Sequence, residues 1–264
     1  MKKSLIITWI MHCDYPLFRK FLTEHASYFD EILIYWSPHN RFPYYNSFMQ
    51  SSLSYLANVR FLDPIVYDYG KDDWRNVATN ELVKEASGDW IISIEQDWLC
   101  QDWEGFFTNC DRVMKECDLF GWLNPTRKPY IHPACFFIKH DLLEKTGTDF
   151  SPHPETPGSD HFSTITWKAQ KLGAKILTLG VGDVETSSLA FHLGGINHNY
   201  LNFGTPHHAF HRGEIFKVYN YYSMQVEVPQ HKRFMQLMKD VSVYLDGMYP
   251  EIDSKTFKWR KFFI

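Results

Sequence analysis

The chain lacks the short motifs that mark several large enzyme classes. It contains no G-x-G-x-x-G fingerprint and no G-x-x-x-x-G-K-[ST] loop, which argues against dinucleotide-dependent oxidoreductases and P-loop enzymes. It contains no G-x-S-x-G nucleophile elbow, no H-E-x-x-H pair and no cysteine/histidine spacing typical of zinc sites. Repeats and low-complexity segments are missing as well. The sequence therefore favours none of these catalytic or architectural classes.

Cysteine is scarce, and long apolar runs are missing. The five cysteines are odd in number, widely spaced and without a C-x-x-C pair, so we expect buried, reduced thiols. No apolar run approaches the length of a membrane span, and Met1-Lys2-Lys3 leads into a predicted strand without a small-residue cleavage site. A cytoplasmic location is the default expectation. The net charge of −4 gives no bulk attraction to nucleic acid.

The composition that remains is that of a globular protein. With 264 residues, 44% hydrophobic and 22% charged, the chain suits one large domain, or a domain with an appendage, around a substantial core. Aromatic residues make up 17%, and aromatic rings often line sugar and base sites by stacking, although we expect most of them to serve packing.

The most informative stretch is DWIISIEQDW, residues 89–98. Its apolar, β-branched run predicts a strand buried on both faces, as in a parallel sheet. The run stops at Glu95-Gln96-Asp97, and ligands of open α/β sheets bind beyond the carboxyl ends of the strands. Glu95 and Asp97 are two apart and face one side of an extended chain. They indicate a site for Mg²⁺, Mn²⁺ or Ca²⁺, with a solvated strand end as the alternative.

A predicted helix precedes this strand. Residues 73–88, DWRNVATNELVKEASG, carry an apolar stripe, and Gly88 stands where a helix C-cap is expected. Because the helix runs antiparallel to the strand, Arg75 and Asn76 at its start should lie at the same end of the sheet as the two carboxylates. A guanidinium beside a helix N-terminus is suited to an anion.

Helix, turn, strand and acidic end together resemble a known family. The order R-N-x-A-x-N-x-x-V-x-x-A-x-G-D-W-I-I-x-I-E-Q-D is similar to the nucleotide-binding half of GT-A glycosyltransferases, in particular the inverting family 2. The metal motif of that family, Asp-x-Asp, is written here as Glu95-Gln96-Asp97. The resemblance implies an α/β/α sandwich with a mixed, mostly parallel sheet, and transfer of a sugar from a nucleotide-sugar donor with Mn²⁺ or Mg²⁺.

The N-terminal unit agrees with this family in order but departs from it at one position. Strands over residues 4–10 and 31–36, joined by a helix that Tyr15-Pro16 opens, predict a parallel pair. The family's second strand normally ends in Asp-Asp-Gly-Ser, whereas this one continues into Ser37-Pro38 without the aspartate that meets the base. The base is therefore left open between UDP- and GDP-sugars. Trp36 is a candidate for stacking on it or for the core, and Trp9 is a second candidate nucleotide-binding residue.

The middle of the chain predicts further α/β units. Helices are expected over residues 44–56, 103–117 and 141–147, and strands over 58–62, 118–123 and 134–139. The segment TRKPYIHP, residues 126–133, reads as a turn-rich loop suited to gating or to acceptor contact.

Asp160 is the candidate catalytic base. It follows a proline-rich loop over residues 150–159 and is predicted to begin a helix that Gly173 closes. The family carries Glu-Asp before a helix ending L-G-x-K-I, here residues 172–176, and its second acid is the general base. That acid falls on Asp160, while Ser159 replaces the first. The alternative role is an N-cap or first-turn acid that stabilises the helix.

A glycine- and histidine-rich segment supplies the remaining candidates. Many GT-A enzymes complete their metal site with a histidine from this region, which makes His192 the first choice and His198 the second, with an ordinary polar role as the alternative.

The resemblance covers roughly residues 4–200, and we expect a GT-A-like catalytic domain over residues 1–212. A helical C-terminal extension over 213–264 is predicted from an apolar stripe, has no counterpart in the family and ends in a basic, aromatic tail. The expected enzyme is an inverting hexosyl- or pentosyltransferase. Its acceptor is open between a glycan, a lipid, a protein, a small molecule and a modified nucleic-acid base. Two alternatives remain: a noncatalytic module that binds nucleotide sugars or glycans, and a metal-dependent hydrolase that uses the later histidines, His207, His208 and His211.

Overall fold

The computed structural model describes residues 1–10, 15–36, 50–62, 74–95, 98–100, 103–124, 129–151, 161–179 and 190–192. At several element ends, among them Trp9, Trp36 and Arg75, and throughout β5 and β9, the description covers the backbone alone. The strands are β1 (Lys3–Ile10), β2 (Glu31–Trp36), β3 (Val59–Phe61), β4 (Trp90–Ile94), β5 (Trp98–Cys100), β6 (Leu119–Asn124), β7 (Tyr130–Lys139), β8 (Ile176–Leu179) and β9 (Ala190–His192). The helices are α1 (Tyr15–His25), α2 (Trp74–Glu85), α3 (Trp103–Val113), α4 (His140–Thr146) and α5 (Ser163–Lys171); residues 50–53 are helical too.

Seven of these strands form one mixed sheet in the order β3-β2-β1-β4-β7-β6-β8. Strands β1 to β4 are parallel to one another, β7 runs antiparallel to both of its neighbours, and β8 is parallel to β6. The parallel β1–β2 pair predicted from the sequence is confirmed. A separate antiparallel pair joins β5 to β9.

The sheet is covered by helices on both faces. Along β4, Trp90, Ile92 and Ile94 enter one core, whereas Ile91 enters the other. The first core is completed by α1 and α3, and the second by α2, α4 and α5. Because strand side chains alternate between faces, a strand covered on both sides must be apolar throughout, which is the pattern of residues 90–94. The predicted α/β/α sandwich is thereby confirmed.

Three local predictions were wrong. Gly88 is not a C-cap, because α2 ends at Glu85; a Cβ on Gly88 would stand 2.7 Å from the Ser4 backbone nitrogen, so the glycine permits close approach of β1. Residues 130–133 are not loop but the start of β7, where Pro133 is tolerated because the β6–β7 register shifts there. The helix expected to begin at Asp160 begins at Ser163.

The described thiols agree with the expectation from the sequence. Cys110, Cys117 and Cys135 are buried and free of disulfides. Burial, and then the charge of Asp118, raise the pKa of the Cys117 thiol to about 12, so it stays protonated at neutral pH. Within the described ranges, no helix has the length and apolar character needed to cross a membrane.

Candidate active site

The carboxyl ends of β1 and β4 lie side by side at the centre of the sheet. From β1 the chain moves outward to β2 and β3, then returns through α2 to place β4 on the other side of β1. The strand order therefore reverses between β1 and β4. In open α/β sheets such a reversal opens a crevice beyond the strand ends, and that is where ligands bind.

Glu95 stands at the end of β4, beside this crevice. Its backbone N–H donates to the Ala134 carbonyl at 2.8 Å, and its side chain is half-buried. The N–H of Ala134 turns instead to the Nδ1 atom of its near neighbour His132, at 3.1 Å, and Pro133 has no N–H. The β4–β7 ladder therefore stops at Glu95. This leaves Glu95 at the edge of the sheet formed by the carboxyl ends of the parallel strands. Asp97 lies outside the described residues.

The small β5–β9 sheet joins this edge to a distant part of the chain. Trp98, the residue after Asp97 in the sequence, pairs with His192, and Leu99 pairs with Phe191. Directly opposed residues of an antiparallel pair have Cα atoms about 4.5 to 5.5 Å apart. The backbone of His192 therefore lies next to the segment that follows the acidic motif. His198, His207, His208 and His211 are outside the described part of the chain.

The donor set suits a hard divalent cation. Two carboxylates and one imidazole are ligands that Mn²⁺ accepts, and the oxygen ligands also suit Mg²⁺. Among the residues whose side chains the structure describes, no group of three histidine, cysteine, aspartate or glutamate residues forms a metal site. Of the three candidate ligands only Glu95 belongs to that set, so the ligand assignment rests on the chemistry of these residues and on the backbone pairing.

An irregularity in β1 lies at the same edge. Ile7 pairs with Ile34 but Ile10 pairs with Trp36, so β1 carries one more residue than β2 between these pairs. The bulge falls in the segment that contains Trp9. Bulges at strand ends re-aim the chain and are common beside active sites. The backbones of Trp9 and Trp36 are thus neighbours at the crevice.

Helix α2 begins at this edge with the two polar residues singled out in the sequence. Arg75 is in the first turn, and its side chain is outside the description. The Asn76 side chain is used within the protein: Oδ1 accepts from the N–H of Phe150 at 2.9 Å and from Asn80 Nδ2 at 3.2 Å, and Nδ2 donates to Ser151 Oγ at 3.0 Å. Direct contact between Asn76 and a bound nucleotide sugar remains a prediction.

Helix α5 is preceded by a strained residue. Phe162, its N-cap position, has φ 71° and ψ −13°, and its N–H donates to the Phe150 carbonyl at 3.0 Å. A bulky residue in the left-handed region costs about 1 to 3 kcal/mol and persists only where its surroundings enforce it. Phe162 is completely buried and stacks on Phe136, with ring centroids 3.9 Å apart. Asp160 itself lies outside the described residues.

The start of α5 bears on the capping role considered for Asp160. The first helical residue is Ser163, three positions after Asp160, and the first turn contains no acidic residue. The helix-cap alternative is therefore wrong, because N-cap and first-turn groups must lie within the turn whose N–H groups they meet. The assignment of Asp160 as a base remains a prediction.

Sequence reasoning missed Phe150 and Phe162. An aromatic residue does not predict a left-handed backbone, because glycine and asparagine adopt that conformation far more readily. The spacing of Asn76 and Asn80, one helical turn apart, is the one signal in the sequence for a polar cluster at the start of α2.

No protein-family model matches the chain, and no curated protein matches it. Solved structures do. The chain is similar to PcManGT, a mannosyltransferase from Pyrobaculum calidifontis in complex with GDP-Man and Mn²⁺, over 94% of this chain and 87% of that one, with TM-score 0.50 and 13% identity. It also matches S. aureus TarS 1-349 in complex with UDP-GlcNAc, over 91% of this chain and 80% of that one, with TM-score 0.45 and 13% identity. The mixed, mostly parallel seven-stranded sheet and the likeness to PcManGT identify the architecture as the GT-A-type fold of nucleotide-diphospho-sugar transferases.

Proposed function

We propose that the chain is a glycosyltransferase that moves a hexosyl or pentosyl group from a UDP- or GDP-sugar to an acceptor hydroxyl. The observation that carries the proposal is the convergence at one crevice: Glu95 ends β4 at the point where the strand order reverses, and β9 brings His192 opposite Trp98. This is a GT-A-type fold, and the similar PcManGT binds GDP-Man together with Mn²⁺. Fold likeness alone does not fix an activity, so the chemistry of these residues must support it.

Three residues are proposed to hold Mn²⁺ or Mg²⁺: Glu95, Asp97 and His192. A bound divalent cation would offset the negative charge that develops on the departing diphosphate. Arg75 adds positive charge at the N-terminus of α2, where the helix end already favours an anion. Trp9 and Trp36, with neighbouring backbones beside the β1 bulge, are proposed to contact the nucleotide.

Asp160 is proposed as the general base. An acceptor hydroxyl is a poor nucleophile at neutral pH, so Asp160 takes its proton as the oxygen forms a bond to the anomeric carbon. The bond from that carbon to the diphosphate oxygen breaks, and the nucleoside diphosphate leaves. Attack in line with the leaving group inverts the configuration at the anomeric carbon.

Direct binding measurements test the metal-dependent donor site. Titration calorimetry with GDP-mannose, UDP-glucose and UDP-N-acetylglucosamine in Mn²⁺ should find a donor that binds the protein. The affinity for this donor should fall at least about tenfold in excess chelator, which removes the metal ion, and in Glu95→Gln, which removes one charged ligand of the metal. The matched control is Glu144→Gln, an exposed carboxylate on α4 at the opposite edge of the sheet, which should bind as wild type does. Equal donor affinity with and without chelator would refute the metal site, and no binding of any nucleotide sugar would refute the proposed function.

A further inference from the structure

Asn76 connects the start of α2 to a segment far along the chain. Its Oδ1 accepts the N–H of Phe150 and its Nδ2 donates to Ser151 Oγ, across a sequence separation of 74 and 75 residues. With the bond from Asn80, both lone pairs of Oδ1 are occupied. The amide thus holds residues 150 and 151 against the first turn of α2, which begins at Trp74.

The held segment makes a second connection. The Phe150 carbonyl accepts a hydrogen bond from the N–H of Phe162. Phe150 is therefore hydrogen-bonded through its N–H to α2 and through its carbonyl to the turn before α5. Phe150 is 3% exposed and Phe162 is fully buried. Their rings lie 5.8 Å apart, and Phe162 stacks on Phe136 of β7.

The far end of this connection is fixed by α5. Thr166 Oγ1 donates to the Phe162 carbonyl at 3.2 Å and accepts the N–H of Ile131 in β7 at 3.2 Å. Trp167 Nε1 donates to the Pro129 carbonyl at 3.1 Å. The left-handed Phe162 is therefore enforced from the sheet side and from the Phe150 side together, and Asp160 stands two residues before it in the sequence.

We propose that Asn76, Phe150 and Phe162 form a bridge that holds the turn before α5 against the start of α2, which is proposed to bind the donor. This inference rests on the proposed function and assigns Asn76 as a positioning residue, in place of the direct contact with the donor predicted from the sequence. A general base must lie within hydrogen-bond reach of the proton that it removes, and a displacement of about 1 Å can cost about 100-fold in rate. The bridge joins α2, which is proposed to meet the donor, to Phe162, which follows the proposed base by two residues in the sequence.

The test compares Asn76→Ala and Ser151→Ala with a matched control, Asn58→Ala. Asn58 Nδ2 also joins separate segments, donating to the Ala26 and Phe29 carbonyls at 2.9 and 2.8 Å, but at the amino ends of β2 and β3. Nucleoside diphosphate release, with monosaccharides or water as acceptor, gives kcat and the donor KM. Melting temperature is measured in parallel, and amide hydrogen exchange is followed at residues 150 and 162.

Asn76→Ala should lower kcat about 10- to 100-fold, with donor KM changed less than about threefold. Ser151→Ala should show part of this loss, and the double variant should lose less than the product of the single losses, since both act through one bridge. Exchange at Phe150 and at Phe162 should accelerate about tenfold in Asn76→Ala. Asn58→Ala should change melting temperature but neither kcat nor this exchange.

Two results would overturn the bridge without touching the proposed function. One is a wild-type kcat in Asn76→Ala alongside a melting temperature lowered as in Asn58→Ala, which would make Asn76 an ordinary structural residue. The other is faster exchange at Phe150 with no change at Phe162, which would show that the connection is not transmitted. The exchange measurement needs no donor, so it decides this point even if wild-type protein turns over no nucleotide sugar.

Discussion

Asp160 carries the chemical step of the proposed reaction, and the bounds of α5 sharpen what its replacement should do. Because the helix begins three residues later, an amide at position 160 removes no helix cap. The usual ambiguity of such a variant, lost stability against lost catalysis, is therefore small.

Asp160→Asn should lower kcat by about 10² to 10⁴, equivalent to about 3 to 5 kcal/mol in the barrier, because an amide cannot accept the acceptor's proton. Donor affinity and melting temperature should stay near their wild-type values. Nucleoside diphosphate release, calorimetry and thermal unfolding on one preparation measure all three.

Asp149→Asn is the matched control at the other end of the same segment. Asp149 Oδ1 accepts the N–H of Ser151 at 3.0 Å, and the residue is exposed. We expect its kcat to stay within about threefold of wild type, as for surface positions that lack a catalytic role. A catalytic loss in Asp149→Asn together with normal turnover in Asp160→Asn would move the base to Asp149.

At the scale of elements, the turn from α2 into β4 fixes where Glu95 emerges. The Glu31 carboxylate accepts hydrogen bonds from Ser4 Oγ and from the N–H and Oγ of Ser87, and Gly88 N–H donates to Ser4 Oγ at 2.7 Å. β1, β2 and the α2–β4 turn are thereby joined at the amino edge of the sheet. Since β4 spans only Trp90–Ile94, this junction sets the level at which its carboxyl end meets the crevice.

The junction should make stability depend on pH. Burial alone would raise the pKa of Glu31, but the hydrogen bonds from Ser4 and Ser87, with the charge of Arg60, hold it below the ordinary 4.5. A lowered pKa in the folded state adds stability above pH 4.5, and that stability is lost as pH falls through the folded value. Urea unfolding should find Glu31→Gln less stable than wild type at pH 7, with the difference shrinking steadily toward pH 3.

The control for this prediction is Glu116→Gln, which removes half of an exposed ion pair with Arg112 at 3.6 Å. Exposed pairs of this kind contribute little, about 0 to 1 kcal/mol. A difference between wild type and Glu31→Gln that is constant from pH 3 to pH 7 would show that the carboxylate's charge is not what the junction uses.

At the scale of the whole molecule, the two faces of the sheet have different structural roles. Phe136 and Phe137 are neighbours in β7 and are both buried, but Phe137 stacks on Phe120 in the core under α1 and α3, whereas Phe136 stacks on Phe162. The second face therefore supports the contacts that hold Phe162 as well as the fold.

Replacing each phenylalanine by leucine should separate the effect on stability from the effect on turnover. Both Phe136→Leu and Phe137→Leu should lower the free energy of unfolding by about 1 to 3 kcal/mol, since each removes a stacked ring from a packed core. Only Phe136→Leu should also lower kcat, by about tenfold or more, because Phe162 loses the ring that helps enforce its backbone. Urea unfolding and turnover well below both melting temperatures are the measurements; equal kcat values in the two variants would contradict the assignment of the faces.

The sequence by itself determined the local features of this protein. The unbroken apolar run of β4, the acidic residues after it, the exact span of β2 and the polar start of α2 were all predicted, because hydrophobic periodicity and end signals act over neighbouring residues. The fold class came from the resemblance of these features to the GT-A family, and the buried strands agree with it, since few architectures bury several such strands on both faces.

Only the tertiary structure decided which distant groups meet. Trp98 pairs with His192, and Asn76 accepts a hydrogen bond from Phe150, so both contacts join segments far apart in the chain. The left-handed backbone of Phe162 depends on contacts of the same kind. Gly88 likewise owes its identity to the approach of Ser4, and the start of α5 ruled out a capping role for Asp160. Such contacts follow from how two cores close around one sheet, where packing and hydrogen bonds between remote residues override local preference.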